Sequence, residues 1–224
     1  MRHLIKAITL VAIIAATDGV RAEEWNDCER QRNNDLDRII AFCTKLIETP
    51  GIDPLHLGRA FSRRGYGYDG LGQYQRAIRD YDEAIRILLS FQDPDALRYR
   101  AIAYNNRAEA YLVLGKPSQG LPDADKAVQL APREPHFYST RGRINQSLGD
   151  QPGAIRDHDA ALARGGTRWV KIYQCGLRLA QLYHGQIDGI LRSELRTALR
   201  MCVDKGRACD PAPAPDPECP DPVG

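Results

Sequence analysis

Gly115 and Gly149 are 34 residues apart, and the residues around them keep one register. Each follows a Leu, and Leu71-Gly72 is a third instance of the pair. Ahead of the glycines stand aromatic and small residues in fixed order: Phe61, Gly65 and Tyr68; Tyr104, Ala108 and Tyr111; Tyr138 and Gly142. Behind them come Ala77, Tyr81 and Ala84; Gly120, Ala124 and Ala127; Ala154, His158 and Ala161. Two helices approach closely only where a tiny side chain meets a large one. A small/aromatic pattern on this period therefore describes a helical hairpin repeated end to end. Within Arg76–Leu88 the apolar residues Ala77, Ile78, Tyr81, Ala84, Ile85 and Leu88 have helical spacing.

Gly72 to Gly115 exceeds one period. The extra residues are expected around Ser90 to Asp95, where Gln92-Asp-Pro-Asp95 reads as a turn and a new helix start. Asp35 to Glu48 reads as the second helix of an earlier, degenerate copy, because Arg38-Ile-Ile and Cys43 match Arg76-Ala-Ile and Tyr81 in register. The first helix of that copy would begin near Trp25, and a Cys28–Cys43 bridge would staple the hairpin. Terminal copies of a stack are atypical because they cap it.

Over roughly residues 26–166 the chain resembles the tetratricopeptide repeat (TPR) family. The resemblance implies an all-α solenoid of about three to four helical hairpins that binds a protein or peptide and performs no catalysis. It also implies an inner, concave wall lined by the first helix of each pair. In this register the wall carries Arg59, Ser62, Arg63, Tyr66 and Asp69, then Asn105, Asn106, Glu109 and Leu112, then His136, Ser139, Thr140 and Arg143. Arg59, Arg63, Tyr66, Asn105, Asn106, Glu109, His136 and Arg143 are the candidate partner-binding residues, since amides and guanidiniums can meet peptide backbone and carboxylates. The competing reading is an ordinary solvated helix surface. The carboxylate-clamp subfamily is not matched. Only Asn106 falls in place, with Ser62 and Tyr66 where Lys and Asn are wanted and His136 and Thr140 on the following repeat.

Residues 1–22 read as a secretory signal, with Arg2 and Lys6, an apolar run from Ile8 to Ala16, and small residues at Val20-Arg21-Ala22. The run is short for a membrane span, which needs about 20 apolar residues. Without this segment the chain has 28 basic and 28 acidic residues, because three basic residues and one acidic residue leave with it. A formal charge of zero argues against nucleic-acid binding. The expected location is secreted, in a bacterial periplasm. Six cysteines remain, Cys28, Cys43, Cys175, Cys202, Cys209 and Cys219, an even number that suits disulfides in an oxidising compartment. Close metal-ligand spacing is absent from the last three. No cofactor is expected.

After Gly165-Gly166 the pattern changes. Gln174 and Leu177 precede Tyr183-His-Gly185-Gln-Ile187-Asp188-Gly189, and Arg196, Ala198 and Leu199 follow. Residues 168–206 resemble the small helical peptidoglycan-binding domain of bacterial cell-wall proteins. The resemblance makes Tyr183, Gln186, Asp188 and Arg196 candidate contacts to glycan-peptide. Arg192-Ser193, Leu195 and Cys202-Val203 depart from that family's motif. The alternative is a fifth hairpin that only caps the stack, which Gly176, 34 residues after Gly142, permits. Either would seal the apolar end of the solenoid, with Cys175 or Cys209 bonding Cys202 as a staple. Residues 207–224 are Pro-rich and acidic and read as a disordered tail.

Catalytic motifs are not found. Gly65-Tyr-Gly67-Tyr-Asp-Gly70 spells a dinucleotide-binding pattern but falls inside a repeat helix. The histidines are scattered, and His158 reads as a core residue. Asp80, Asp82 and Glu83 read as a solvated helix face.

Overall fold

The computed structural model describes Cys28, residues 35–206 and Cys209. The expected signal segment, Cys219 and most of the Pro-rich tail lie outside the described residues.

All described secondary structure is helical. The elements are α1 (Leu36–Ile47), α2 (Pro54–Gly70), α3 (Tyr74–Leu88), α4 (Pro94–Val113), α5 (Pro117–Leu130), α6 (Pro135–Ser147), α7 (Gln151–Leu179) and α8 (Ser193–Asp204). Helices α2/α3, α4/α5 and α6/α7 form hairpins, and each hairpin packs on the next. None of the described helices is long and apolar enough to cross a membrane.

The starts and stops are written locally. Asp35, Asp53, Asp93 and Asp150 each accept a hydrogen bond from the backbone amide three residues on, at 2.9–3.1 Å. Such caps satisfy donors the first turn leaves open and contribute about 1 kcal/mol each. Pro54 and Pro94 follow two of them, at the first helical position where a missing N–H costs nothing. The stops of α2, α4 and α6 are one motif repeated. Gly72, Gly115 and Gly149 have φ of +70 to +83°. The amides after them bond back to Tyr68, Tyr111 and Asn145, which makes three Schellman turns.

The hairpin interiors carry the expected small/large pairs. A side chain at Gly65 would place its first carbon 2.7 Å from the Tyr81 ring, and one at Gly142 would lie 3.1 Å from the His158 ring. A first side-chain carbon at Gly67 or Gly70 would lie 2.8 Å from Ile40 or Leu36 of α1, so these glycines serve helix contact and no nucleotide loop. Cys28 is bonded to Cys43 on α1, as the sequence suggests.

Two expectations are corrected. The extra length between Gly72 and Gly115 does not go into the Ser90–Asp95 turn. The link from α3 to α4 is only one residue longer than that from α5 to α6, and it is α4 that grows at its front: it starts 21 residues before its turn glycine, against 14 for α6. The reading of Asp80 as solvated also fails. It is 6% exposed and accepts two hydrogen bonds from Arg64, at 2.7 and 2.8 Å. Asp82 and Glu83 remain on the surface, where Asp82 pairs with Arg107 and Glu83 with Arg86.

Helix α7 is broken at Gly166, whose φ of +62° and ψ of −163° no helix accommodates. Its first half completes the third hairpin and its second half packs on α8. One apolar core runs through both, from Phe137 and Tyr138 past Trp169 and Tyr173 to Leu195, Leu199 and Val203. Cys202 pairs with Cys209, which settles the choice of partner left open by the sequence. The segment from Gly166 onward thus seals the end of the stack.

Candidate functional site

The first helices touch one another directly, α2 with α4 and α4 with α6. This contact defines the inner wall. Arg59 of α2 reaches the long front of α4, where its Nη2 donates to the Tyr99 hydroxyl at 2.6 Å and its guanidinium lies 4.1 Å over the Tyr99 ring. The Arg63 guanidinium is 5.0 Å from the centre of the Tyr66 ring, within cation–π range. The link from α4 to α6 is charged. Arg143 Nη1 donates to Glu109 Oε1 at 2.5 Å, and His136 Nε2 is 3.9 Å from Glu109 Oε2. His136 also meets the edge of Trp169, at 6.2 Å between ring centres.

The expected candidates thus fall into place unequally. Arg59, Arg63, Tyr66, Asn106, Glu109 and Arg143 are half-buried along the wall and His136 is exposed. Asn105 is the exception. Its side chain is 0% exposed, Nδ2 donates to Asn106 Oδ1 at 3.3 Å, and Oδ1 accepts nothing. Ser62, Ser139 and Thr140 are buried too, and Ser139 Oγ accepts from the Tyr173 hydroxyl at 3.1 Å.

Electrostatics single out three residues. Burial opposes ionisation of Glu109, but Arg143 and then His136 hold its carboxyl below the ordinary carboxylate range. Asp69 has no such help. Burial, with the charge of Glu109 second, pushes its carboxyl up to about 7. Tyr81 stands behind it, and burial followed by Asp69 pushes its phenol well above the ordinary value. The sequence reads Tyr81 only as a core filler, and nothing in a single repeat signals that its hydroxyl ends in the wall.

The C-terminal loop is organised around Gln174, which is fully buried. Its Oε1 accepts from the Gly189 amide at 2.9 Å, and its Nε2 donates to Asp188, Ile190 and Tyr183 at 3.1–3.3 Å. Tyr183 is 2% exposed and its hydroxyl donates to the Gln186 carbonyl at 3.0 Å. The Asp188 carboxylate accepts from the Ile190 amide and pairs with Arg192 at 2.7 Å. Those bonds, the backbone one first, hold it down to about 2. Tyr183 and Asp188 therefore shape the loop. Gln186 and Arg196 face solvent, with Arg196 3.4 Å from Asp159.

No family model matches the chain. It is 31% identical over 129 residues to Hsp70-Hsp90 organizing protein 3 of Arabidopsis thaliana, covering 58% of this chain and 19% of that protein. It is 32% identical over 91 residues to the DnaJ homolog subfamily C member 7 homolog of Schizosaccharomyces pombe, covering 41% and 18%. The chain spans less than a fifth of the length of these curated relatives. Among solved structures, MamA from Desulfovibrio magneticus RS-1 superposes with a TM-score of 0.53 at 14% identity, over 84% of this chain and 94% of that one. By its fold the chain is a tetratricopeptide-repeat α-solenoid.

Proposed function

We propose that the protein is a secreted, non-catalytic scaffold that holds an extended peptide segment of a protein partner against the wall built by α2, α4 and α6. The observation that carries this reading is the wall itself: a half-buried run of guanidinium, amide, phenol and carboxylate groups on three successive first helices. Such a surface can satisfy peptide backbone and side chains at once. In this reading residues 26–166 are the binding solenoid, 168–206 close its end, and 207–224 are a tail. The disulfides Cys28–Cys43 and Cys202–Cys209 support an oxidising compartment such as a periplasm.

Selection of octapeptides from a random displayed library tests the reading. Binders should emerge on the oxidised protein. Their affinity should fall at least tenfold on a variant carrying Arg63→Ala and Asn106→Ala. Equal affinity on that variant would place the binding elsewhere.

Docking of residues 168–206 on peptidoglycan is the finer form of the proposal. It rests on the resemblance of the Tyr183–Gly189 loop, with Gln186 and Arg196 left as its solvent-facing groups. Co-sedimentation with purified sacculi decides it: pelleting that Gln186→Ala and Arg196→Ala abolish supports docking, and no pelleting removes it.

A further inference from the structure

The second half of α7 has a face that the core does not use. Val170, Tyr173 and Leu177 belong to the apolar core. At about 100° per residue, Cys175 stands on the opposite side of the helix, amid Arg168, Lys171 and Arg178. Between Asp159 and Asp188 the chain carries Arg164, Arg168, Lys171 and Arg178 and no acidic residue, so this face is basic. The loop after α7 covers one side of it. Arg178 Nη2 donates to the Gly185 carbonyl at 2.7 Å, and a first side-chain carbon at Gly189 would lie 3.2 Å from Lys171. On the other side Arg168 is exposed and Leu179 is 56% exposed. Cys175 lies between them, yet it is 2% exposed and belongs to none of the apolar clusters of the described residues. It is also oxidised in a disulfide. The other four described cysteines are bonded to one another, and none of the described cysteines is a free thiol.

One cysteine of the chain is left, Cys219. We infer that Cys219 is the partner of Cys175, and that the acidic segment from Asp210 to Asp221 seats on the basic face of α7. Residues 208–224 hold Asp210, Asp216, Glu218 and Asp221 and no basic residue, so segment and face carry opposite charge. Reach is sufficient. Cys209 is fixed by Cys202 on α8, and α8 packs on α7. Packed helices lie about 8–10 Å apart. The ten residues from Cys209 to Cys219 are Pro-rich and therefore extended, and at about 3.1 Å each they span about 30 Å. Bond formation joins the two Sγ atoms, and the two thiol hydrogens with their electrons pass to a low-molecular-weight disulfide, which is cleaved into two thiols. The product is a closed acidic loop, held at Cys209 and Cys219, and a third staple on the segment that seals the stack.

Disulfide mapping of the oxidised full chain tests the bond. Thiols are blocked with N-ethylmaleimide in denaturant, and digestion with trypsin and Asp-N then puts Cys175, Cys202, Cys209 and Cys219 on separate peptides. Residues 172–178 should emerge joined to residues 216–220. Residues 172–178 joined to the Cys202 or Cys209 peptide, or Cys175 carrying the blocking group, would overturn the pairing. So would a bond found only between chains, seen as a reducible dimer on a denaturing gel. Cys219→Ser should raise the blocked thiols from none to one per chain, at Cys175. The seating has its own test. A variant carrying Asp216→Asn, Glu218→Gln and Asp221→Asn removes charge from the segment and leaves α7 as it is. Its Cys175–Cys219 bond, followed by the same mapping in glutathione buffers, should have an equilibrium constant against glutathione at least threefold smaller than in wild type. Equal constants would show that charge does not hold the segment, and would overturn its seating on the basic face.

Discussion

Arg141 and Asp157 are 16 residues apart and joined by two parallel hydrogen bonds, Nε to Oδ2 at 2.9 Å and Nη2 to Oδ1 at 2.7 Å. The same bidentate pair recurs 16 residues apart in the other hairpins, as Arg64–Asp80 and Arg107–Asp123. Each arginine stands one residue before the small residue of its hairpin, and each aspartate one residue before the large or small residue it opposes. An aromatic ring three residues earlier, Phe61, Tyr104 or Tyr138, lies 5.4–5.7 Å from each guanidinium. The free arm of the guanidinium reaches back a repeat. Arg107 binds Asp82, Arg141 binds Asp125, and Arg64 binds Thr44, which occupies the same place in the degenerate first copy. The arginines thus rivet each hairpin internally and to its predecessor.

Removing one half of such a pair leaves a largely buried charge unmatched, which costs several kcal/mol in a dry site. Asp157 is 7% exposed at its side chain and Arg141 23%, so part of the cost is screened. Asp157→Asn should lower the unfolding free energy by about 2 kcal/mol, read as a fall in the urea midpoint. Asp125→Asn, at the solvent-facing arm, should cost less than about 0.5 kcal/mol. Equal effects would show that the rivet lies between repeats and not within them.

Gln181 takes up a left-handed conformation, φ +59°, at the end of α7. The amide of Leu182 bonds back to Leu177 and that of Gln181 to Arg178, the Schellman pattern that glycine serves at Gly72, Gly115 and Gly149. A side chain there is strained by about 1 kcal/mol. Gln181 is exposed, so little packing is lost on its removal. Gln181→Gly should therefore raise stability by about 0.5–1 kcal/mol, and a lower thermal midpoint would mean the glutamine makes a contact that offsets the strain.

The repeat, its turn glycines and the Gly65–Tyr81 and Gly142–His158 pairs were legible because each is a local rule of size or backbone angle, repeated. The Arg–Asp rivets obey the same period, yet Asp80 beside Asp82 and Glu83 looks like any polar helix face. The signal was available only by comparing copies, where Arg64, Arg107 and Arg141 recur in register with Asp80, Asp123 and Asp157. The wall was expected on the first helix of each pair. It was not resolved by residue, because Asn105 and Asn106 are equally polar and only inter-helix spacing decides which is buried. Tyr183 and Asp188 carried a motif whose chemistry the fold uses inside the loop, around Gln174.

His158 is the large partner of Gly142 and is fully buried, with Nδ1 2.8 Å from the Tyr173 hydroxyl. That hydroxyl donates to Ser139 Oγ at 3.1 Å and so ties the third hairpin to the closing segment. Burial, with Arg143 second, lowers the imidazole from 6.5 to about 4. The unfolded chain therefore binds a proton the folded one refuses between those values, and stability from the neutral ring is lost as pH falls from about 6.5 towards 4. Relative to His158→Phe, wild type should lose about 2 kcal/mol between pH 7 and pH 5. A pH-independent difference would show that the ring titrates freely.

Asp69 works in the opposite sense. Its carboxyl rises from 3.8 to about 7 on folding, so the folded chain holds a proton the unfolded one releases. Stability falls as pH rises through that window, which overlaps the His158 window and masks it in wild-type protein. Only the variants separate the two. Asp69→Asn removes the falling limb and should unfold like wild type at pH 4, yet be more stable by about 2 kcal/mol at pH 8, after allowance for partial exposure. Equal stability of the two proteins at pH 8 would show that the Asp69 carboxyl ionises in the folded chain without cost.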